Sequence, residues 1–567
     1  MATVLNSLSH NLFGSFVRRP NFILSTRKKL NQNRYLATFK SSYDHINVPY
    51  IDTYSMLFPN DTISKADVSK PALIEASTGK TVTYGDLFTQ IQTFSAVLAK
   101  EYKFNVGDVL AIYAPNSIQY PTAIFSPLRI GGSMTAVNPL YTVDELSYQL
   151  KDSSAKILLT CPTRLNIAKE SANKVGMDHK NIIVFGNESV DGQVSLGEIL
   201  ENQKNIDIVP NHHYTEEDIK SGNPAYLCYS SGTTGRSKGV ETTHDNIVFN
   251  CHQVQYVEKF NSSAVMMGSL PFYHIYALMA VVTVGLWQRA CIVVHPRFNL
   301  TEFLKSIEKY KIQYLHVVPP IVLQMSKDPI VKDYDLSSLR IAICAAAPMG
   351  KTLCEEFLQT IGIPVKQTYG MTEMSPLCHY TPTENIVDGS VGVLLPNQEA
   401  KLIDSDGKEL GYNEKGELCI RGRNVMKGYL NNPKATKETI DNDNWIHTGD
   451  MAIKTPDGYL FIVDRLKELI KYNGFQVVPA ELEAILISHP QIKDATVIGI
   501  PDPSAGELPK AFVVLNPGSI LTESEVFDFV ASKVSPHKKL RGGVQFIDAI
   551  PKSAAGKILR RLLRDGP

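Results

Sequence analysis

The sequence has no surplus of charge of either sign: 57 Lys and Arg residues balance 57 Asp and Glu over 567 residues. No global field therefore recruits nucleic acid or an acidic membrane, and any basic site must be local. It also lacks a long apolar run. The longest, 275–287, falls short of the ~18 residues a membrane span requires and reads as a buried helix. The eight cysteines (161, 228, 251, 291, 344, 354, 378 and 419) show neither CxxC nor a Cys/His ligand spacing. A chain able to bury its own core does not depend on disulfides, so they read as reduced, buried thiols. No internal repeat or low-complexity block is present, and 43% apolar and 20% charged residues are ordinary for a globular protein. The length predicts three or four compact units.

Acidic residues are missing from one place in particular. Arg18, Arg19, Arg27, Lys28, Lys29, Arg34 and Lys40 all precede the first acid, Asp44. Leu5, Leu8, Leu12 and Phe16 recur at helical spacing within this Ser- and Asn-containing stretch. A basic, acid-free, amphipathic segment has the composition of a mitochondrial transit peptide, expected over residues 1–40; a solvated basic tail is the alternative. The last residues, Arg564-Asp565-Gly566-Pro567, are not the Ser-Lys-Leu peroxisomal address. The matrix is the expected location, with the cytoplasm as the alternative.

From about residue 50, short apolar runs alternate with helical patterns. VLAIYAP (109–115), KILLTCP (156–162), NIIVFG (181–186), CIVVHP (291–296), YLHVVPP (314–320) and LRIAICAAAP (339–348) read as buried strands. An amphipathic helix is expected around 84–99. This rhythm predicts an α/β fold with mainly parallel sheets, whose ligands gather at the carboxyl ends of the strands. After about residue 391, KLID, GELCIRG and GYLFIVDR are short alternating strands with Gly turns, as in a small β-rich subdomain. A final unit of about a hundred residues has α+β order. The expected division is a large domain over 45–463, a hinge over 464–468 and a small domain over 469–567.

The stretch YSSGTTGRSKGV (229–240) has no large apolar residue between its ends and cannot build a core. A strand at 225–229 feeds it. Exposed N–H groups and hydroxyls in such a loop form a concave donor surface for phosphate oxygens, with Lys238 as a point charge. Gly239 follows Lys238, so this is not a Walker A loop. On its own the stretch reads as a phosphate loop ahead of a mobile hairpin, which remains the alternative.

Its company narrows the choice. LCYSSGTTGRSKGV, HDN (244–246), LPFYHIYAL (270–278), QTYGMTE (367–373), GELCIRGRNVMKGY (416–429), WIHTGD (445–450), DRLKELIKYNGFQV (464–477) and PKSAAGKILR (551–560) occur in one order. In that order and spacing the chain resembles the acyl-adenylate-forming superfamily, nearest to 4-coumarate–CoA ligases and acyl-CoA synthetases. The resemblance spans roughly residues 50–563. It implies two α/β subdomains and a β-subdomain, followed by a small mobile lid. It also implies ATP, Mg2+ and coenzyme A, and a two-step reaction in which a small-molecule carboxylic acid becomes acyl-AMP and then a thioester. Nucleic acid is not an expected partner, and nothing in the sequence fixes an oligomeric state.

The resemblance assigns residues as follows. Ser230, Ser231, Gly232, Thr233, Thr234 and Lys238 correspond to the triphosphate loop. Gln367, Thr372, Asp450 and Arg465 contact the nucleotide, and Glu373 is the Mg2+ ligand. Lys557 reaches from the lid to the carboxylate and α-phosphate, and Lys467 is the hinge position. Lys471, Asn473 and Gly474 form the second lid face, beside acyl-adenylate and CoA, with Asn473 standing where relatives often have Lys. Arg297 matches a CoA-binding basic position. His274 shapes the thioester channel, while Tyr276, Ala280, Ala346, Gly370, Met371 and Leu377 line the acyl pocket. A hydroxyl commonly sits where Ala280 is in phenylpropanoid ligases, so an apolar acyl chain is at least as plausible as a hydroxycinnamate. Arg236-Ser237 replaces a frequent Leu-Pro, which predicts a looser loop before ATP arrives. Two other readings remain open: a luciferase-type or carrier-protein-loading adenylating enzyme, and a catalytically silent homologue.

Overall fold

The computed structural model describes residues 38–230, 237–466, 468–473, 475–553 and 556–564. Among them the strands form four sheets. The first runs Gly428–Tyr429, Lys238–Thr243, Pro224–Ser230, Ser133–Val137, Val109–Tyr113, Ala155–Thr160, Ile182–Val184. Its last five strands are parallel, and the first two are added antiparallel at one edge. The second, of nine strands, has a parallel centre from Val365–Gly370 through Ile341–Cys344, Tyr314–Val317, Val265–Gly268 and Cys291–Val294 to Pro71–Glu75. The expected apolar strands are all present. Such runs can be central only where helices cover both faces.

Local signals set the helices. Thr83 and Asp86 form a reciprocal capping box ahead of Tyr84–Lys100, an arrangement whose cap is worth about 1 kcal/mol. That helix buries Leu87, Ile91, Phe94 and Leu98 along one face. The run 275–287 is buried as expected, but it is not a plain α-helix. Ile275–Ala277 and Val284–Trp287 flank a π-helical stretch, Leu278–Thr283, in which Thr283 Oγ1 donates to Leu278 O at 2.8 Å.

One continuous apolar core joins the two α/β halves, with Leu110, Ala225, Ile292 and Ile343 all belonging to it. A separate core fills the antiparallel sheet built from Glu399–Ile403, Lys415–Arg421, Ile446–Lys454 and Leu460–Arg465. Thr38–Lys40, assigned above to the N-terminal segment, pairs with the edge of this sheet and buries Phe39. A third core lies between Pro479–Ile487, Ile492–Asp502, Gly506–Leu515 and Glu523–Ala531 and belongs to the small C-terminal domain. No helix among the described residues is long and apolar enough to cross a membrane. The cysteines described are all free; Cys161 and Cys291 are partly exposed and the other six are buried.

Candidate active site

Ser230 and Lys238 end two antiparallel strands and stand opposite each other in register. They are the feet of the hairpin whose tip, including Ser231, Gly232, Thr233, Thr234 and Arg236, lies outside the described residues. The Ser237 carbonyl accepts a hydrogen bond from the Tyr148 hydroxyl at 3.2 Å. The Lys238 ammonium sits 4.6 Å from the centre of the Tyr429 ring. The Tyr429 hydroxyl in turn donates to Glu373 Oε1 at 2.8 Å. One carboxylate oxygen is thereby occupied; among the described residues none hydrogen-bonds Oε2, the oxygen that a hard cation would take.

Glu373 stands where the second sheet ends. Strand Val365–Gly370 runs into a short 3-10 turn, Thr372–Met374, which carries both Thr372 and the buried Glu373. A Cβ on Gly370 would lie 2.0 Å from the Pro376 carbonyl oxygen, so only glycine admits this crossing. Two of the motifs hold the turn in place. Met426 N donates to Glu373 O at 2.9 Å, and Asn424 Nδ2 donates to Met374 O at 3.0 Å. The HDN residues clamp that segment: Asp245 pairs with Arg423, and Asn246 Nδ2 donates to Arg423 O at 2.6 Å and Val425 O at 3.0 Å. Tyr429 had no individual role in the sequence reading. The only signal for it was its place at the end of the GRNVMKGY run.

Asp450 and Arg465 face each other across two antiparallel strands, Arg465 Nε lying 3.4 Å from Asp450 Oδ1. Tyr369, on the strand that leads to Gly370, donates its hydroxyl to Asp450 Oδ2 at 2.6 Å. Burial raises the Asp450 carboxyl above its ordinary range, against the opposing effects of Arg465 and the Tyr369 hydrogen bond. The Gln367 side chain faces Met349. Its amide donates to Met349 O at 3.1 Å and accepts from Met349 N at 2.9 Å. It therefore clamps the loop after Ile341–Cys344. That loop holds Ala346 in the left-handed region at φ 75, a conformation that costs a non-glycine residue roughly 1 kcal/mol.

Lys557 reaches this site from the C-terminal domain. Its loop closes through Ser553 N donating to Lys557 O at 2.7 Å, and a Cβ on Gly556 would meet the Val318 side chain at 3.1 Å. The loop thus packs on the large domain where strand Tyr314–Val317 ends. Burial pushes the Lys557 ammonium down to about 8; Arg465 lowers it further, and Glu468, Asp450 and Glu373 oppose that. His274 feels the same ammonium. Its imidazole is pushed down to about 4, by burial first and Lys557 second, and is neutral at physiological pH. His274 Nδ1 accepts from Tyr276 N at 3.3 Å, capping the 275–287 helix. The remaining proton is thereby assigned to Nε2.

The Tyr276 hydroxyl is already engaged, donating to Ile343 O at 2.9 Å with His316 Nδ1 at 3.3 Å. Ala280, on the π-helical stretch, and Leu377 are buried and apolar, and Met371 is partly buried. Three of the assigned polar residues are exposed. Arg297 is exposed beyond strand Cys291–Val294. Lys471 and Asn473 are exposed on the hairpin formed by Ile470–Tyr472 and Phe475–Val477, Asn473 at φ 47. Lys467 and Gly474 lie outside the described residues.

Comparison with known proteins accords with this geometry. The sequence pattern of the AMP-binding enzyme family matches residues 61–430, and that of the AMP-binding enzyme C-terminal domain matches residues 481–557. The chain is 40% identical over 548 residues to probable 4-coumarate–CoA ligase 2 of Dictyostelium discoideum, covering 93% of this chain and 97% of that protein. It is 40% identical over 540 residues to 4-coumarate:CoA ligase 1 of Petunia hybrida, covering 93% and 96%. Among solved structures, ATP-bound MatB from Rhodopseudomonas palustris matches with a TM-score of 0.81 at 27% identity, over 91% of this chain and 98% of that one. The anthranilate CoA ligase AuaEII in complex with anthranoyl-AMP shares the fold, with a TM-score of 0.83 at 24% identity over 91% and 98%.

Proposed function

The chain belongs to the AMP-binding enzyme family, and from that premise we propose that it joins an apolar carboxylic acid to coenzyme A through an acyl-AMP. The single observation that carries the reading is the convergence of Lys557, Asp450 and Glu373, from three separate motifs, on one electrostatically coupled site.

In the first half-reaction an acid carboxylate oxygen attacks the α-phosphorus of ATP and pyrophosphate leaves. The free carboxylate is a poor acyl donor because its leaving group would be oxide; the mixed anhydride removes that obstacle. Lys557 lies between the two anions, holding them together and offsetting charge that develops in the transition state. Asp450 accepts hydrogen bonds from the ribose hydroxyls, kept in orientation by Tyr369 and Arg465. Lys238, Ser230 and the hairpin tip grip the β- and γ-phosphates. The donor set at Glu373, an oxygen ligand, fits Mg2+, which supplies charge neutralisation of the phosphates when bound. In the second half-reaction the CoA thiol attacks the acyl carbonyl and AMP leaves. His274 borders that path, with a neutral imidazole and its Nε2–H as donor. Lys471 and Asn473 belong to this step, brought in when the lid turns about Lys467 and withdraws Lys557.

The acid is proposed to be apolar along its length, a fatty acid or an aryl acid without a ring hydroxyl. The Tyr276 hydroxyl is occupied by Ile343 and His316, and Ala280 offers no polar atom. A substrate hydroxyl would find no donor in Ala280 and could meet the Tyr276 oxygen only as an acceptor, whereas in water it makes both kinds of hydrogen bond. A mitochondrial matrix location is proposed from the acid-free basic N-terminal segment, and import of residues 1–40 fused to a reporter tests it. The reaction is tested by CoA-dependent AMP release across short, medium and long fatty acids, cinnamate and 4-coumarate. AMP release that needs CoA, gives no light and favours an unhydroxylated acid is expected. A kcat/KM for 4-coumarate well above that for cinnamate overturns the apolar assignment.

A further inference from the structure

Among the described residues outside the candidate active site, Glu417, Cys419 and His447 bring ligand atoms of three chemical types within 4.8 Å of one another. Glu417 and Cys419 lie two residues apart on Lys415–Arg421, and Cys419 stands opposite His447 on Ile446–Lys454. The spacings match those between ligands of one ion, and the Cys419–His447 pair is also within reach of a hydrogen bond to sulfur. His447 Nδ1 is 3.6 Å from Cys419 Sγ and 3.5 Å from Glu417 Oε2. A tetrahedral ion about 2.3 Å from sulfur and about 2.0 Å from nitrogen and oxygen separates such donors by roughly 3.3–3.6 Å. A fourth residue completes the pattern. Asp441 Oδ2 lies 3.5 Å from His447 Nε2, on the far side of the ring. Its Oδ1 is held by Asp443 N and Trp445 N, each at 2.9 Å.

We propose that Glu417, Cys419 and His447 form a divalent metal site of the Zn2+ class, with His447 binding through Nδ1 and Asp441 fixing its ring from behind. Water supplies the fourth ligand. Thiolate, imidazole and carboxylate together select Zn2+ over the Mg2+ that suits the all-oxygen donor at Glu373. On binding, the Cys419 thiol loses its proton to solvent as the metal–sulfur bond forms, and no electron is transferred. Cys419 is fully buried while His447 and Asp441 keep 31% and 33% of their side-chain surface, which gives the ion an entry path. Lys401, opposite Cys419 on the neighbouring strand, is the competing cation. It is engaged with Glu409 at 3.8 Å and with the Trp445 ring at 4.6 Å.

The site would act on the nucleotide-binding turn. Glu417 Oε1 accepts from Gly449 N at 3.0 Å. Thr448 Oγ1 donates to Leu418 O at 2.7 Å and accepts from Asp450 N at 3.1 Å. A metal that immobilises Glu417 and His447 therefore stiffens the turn that presents Asp450.

The test uses the full-length protein, stripped with a chelator and titrated with Co2+. One equivalent per chain should produce a thiolate-to-cobalt charge-transfer band, which Zn2+ abolishes by displacement. Cys419→Ser should bind without the band, and Asp441→Asn should keep the band with affinity about tenfold weaker. Both variants are checked for folding by their circular dichroism. A wild-type protein that gives no band and retains no Zn2+ after gel filtration overturns the proposal and leaves Lys401 as the resident cation. A band that survives Cys419→Ser overturns the ligand assignment.

Discussion

At the scale of single residues, environment matters more than identity. Lys557 is an ordinary lysine in an Ala-Ala-Gly-Lys loop until the fold buries it beside Arg465, which brings its ammonium down to about 8. The protonated form is the one that offsets developing charge, so kcat/KM for acyl-AMP formation should fall as pH rises through about 8. A Lys557→Arg variant should lose that limb, because a guanidinium stays charged. Lys557→Ala should abolish acyl-AMP formation while thioester formation from preformed acyl-AMP survives; equal loss of both half-reactions would refute its assignment to the first. Glu373 depends on a neighbour in a similar way. Tyr429→Phe removes the hydroxyl that holds Oε1, and the Mg2+ concentration for half-maximal adenylation should rise about tenfold. An unchanged Mg2+ requirement would leave the tyrosine only its ring, under Lys238.

At the scale of elements, the sequence reveals what depends on composition and conceals what depends on register. VLAIY and CIVV are short, apolar throughout and bounded by Pro, which marks them as buried strands, and Thr83 followed by Asp86 marks a helix start without any tertiary information. The π-helical turn at Leu278–Thr283 was not legible, because an apolar run is equally apolar whether its bonds span four residues or five. The role of HDN was also hidden. Nothing in those three residues says that Asp245 and Asn246 bind Arg423 and Val425, almost 180 residues away. The same holds for Gln367, whose amide is turned to Met349. Gly370, expected to line the acyl pocket, is also required by the crossing of Pro376. Gly370→Ala places a methyl 2.0 Å from a carbonyl oxygen, an overpacking that typically costs about 1–3 kcal/mol. A lower Tm and a raised KM for both ATP and acid are expected, since Thr372 and Glu373 follow directly. A variant with wild-type Tm would mean that the 370–376 segment yields freely.

At the scale of the whole molecule, the question is what holds the small domain where Lys557 reaches the site. Arg560, just beyond Lys557, pairs with Glu468 and with Glu483 at 2.8 Å, so the Lys557 loop, Glu468 in the expected hinge and helix Pro479–Ile487 are tied together. The expected hinge over 464–468 rests on a polar interruption between two strands, but this tie is not legible, since Arg560 lies 92 residues from Glu468 and 77 from Glu483. Asp464 adds a titratable element. Its carboxylate accepts from Arg465 N at 2.7 Å and from Ala480 N at 3.3 Å, and burial raises its carboxyl to about 6. A carboxyl raised in the folded state stabilises that state fully below its unfolded pKa of ~3.9, and the contribution is lost as pH rises through about 6. That contribution is roughly 3 kcal/mol at most. The Tm of the wild-type protein, taken relative to Asp464→Asn, should therefore decline between pH 4 and pH 7 and level off above it. Parallel Tm profiles for the two proteins would show that the Asp464 carboxylate is ionised at no cost, and that Arg560 alone sets how firmly the domain is held.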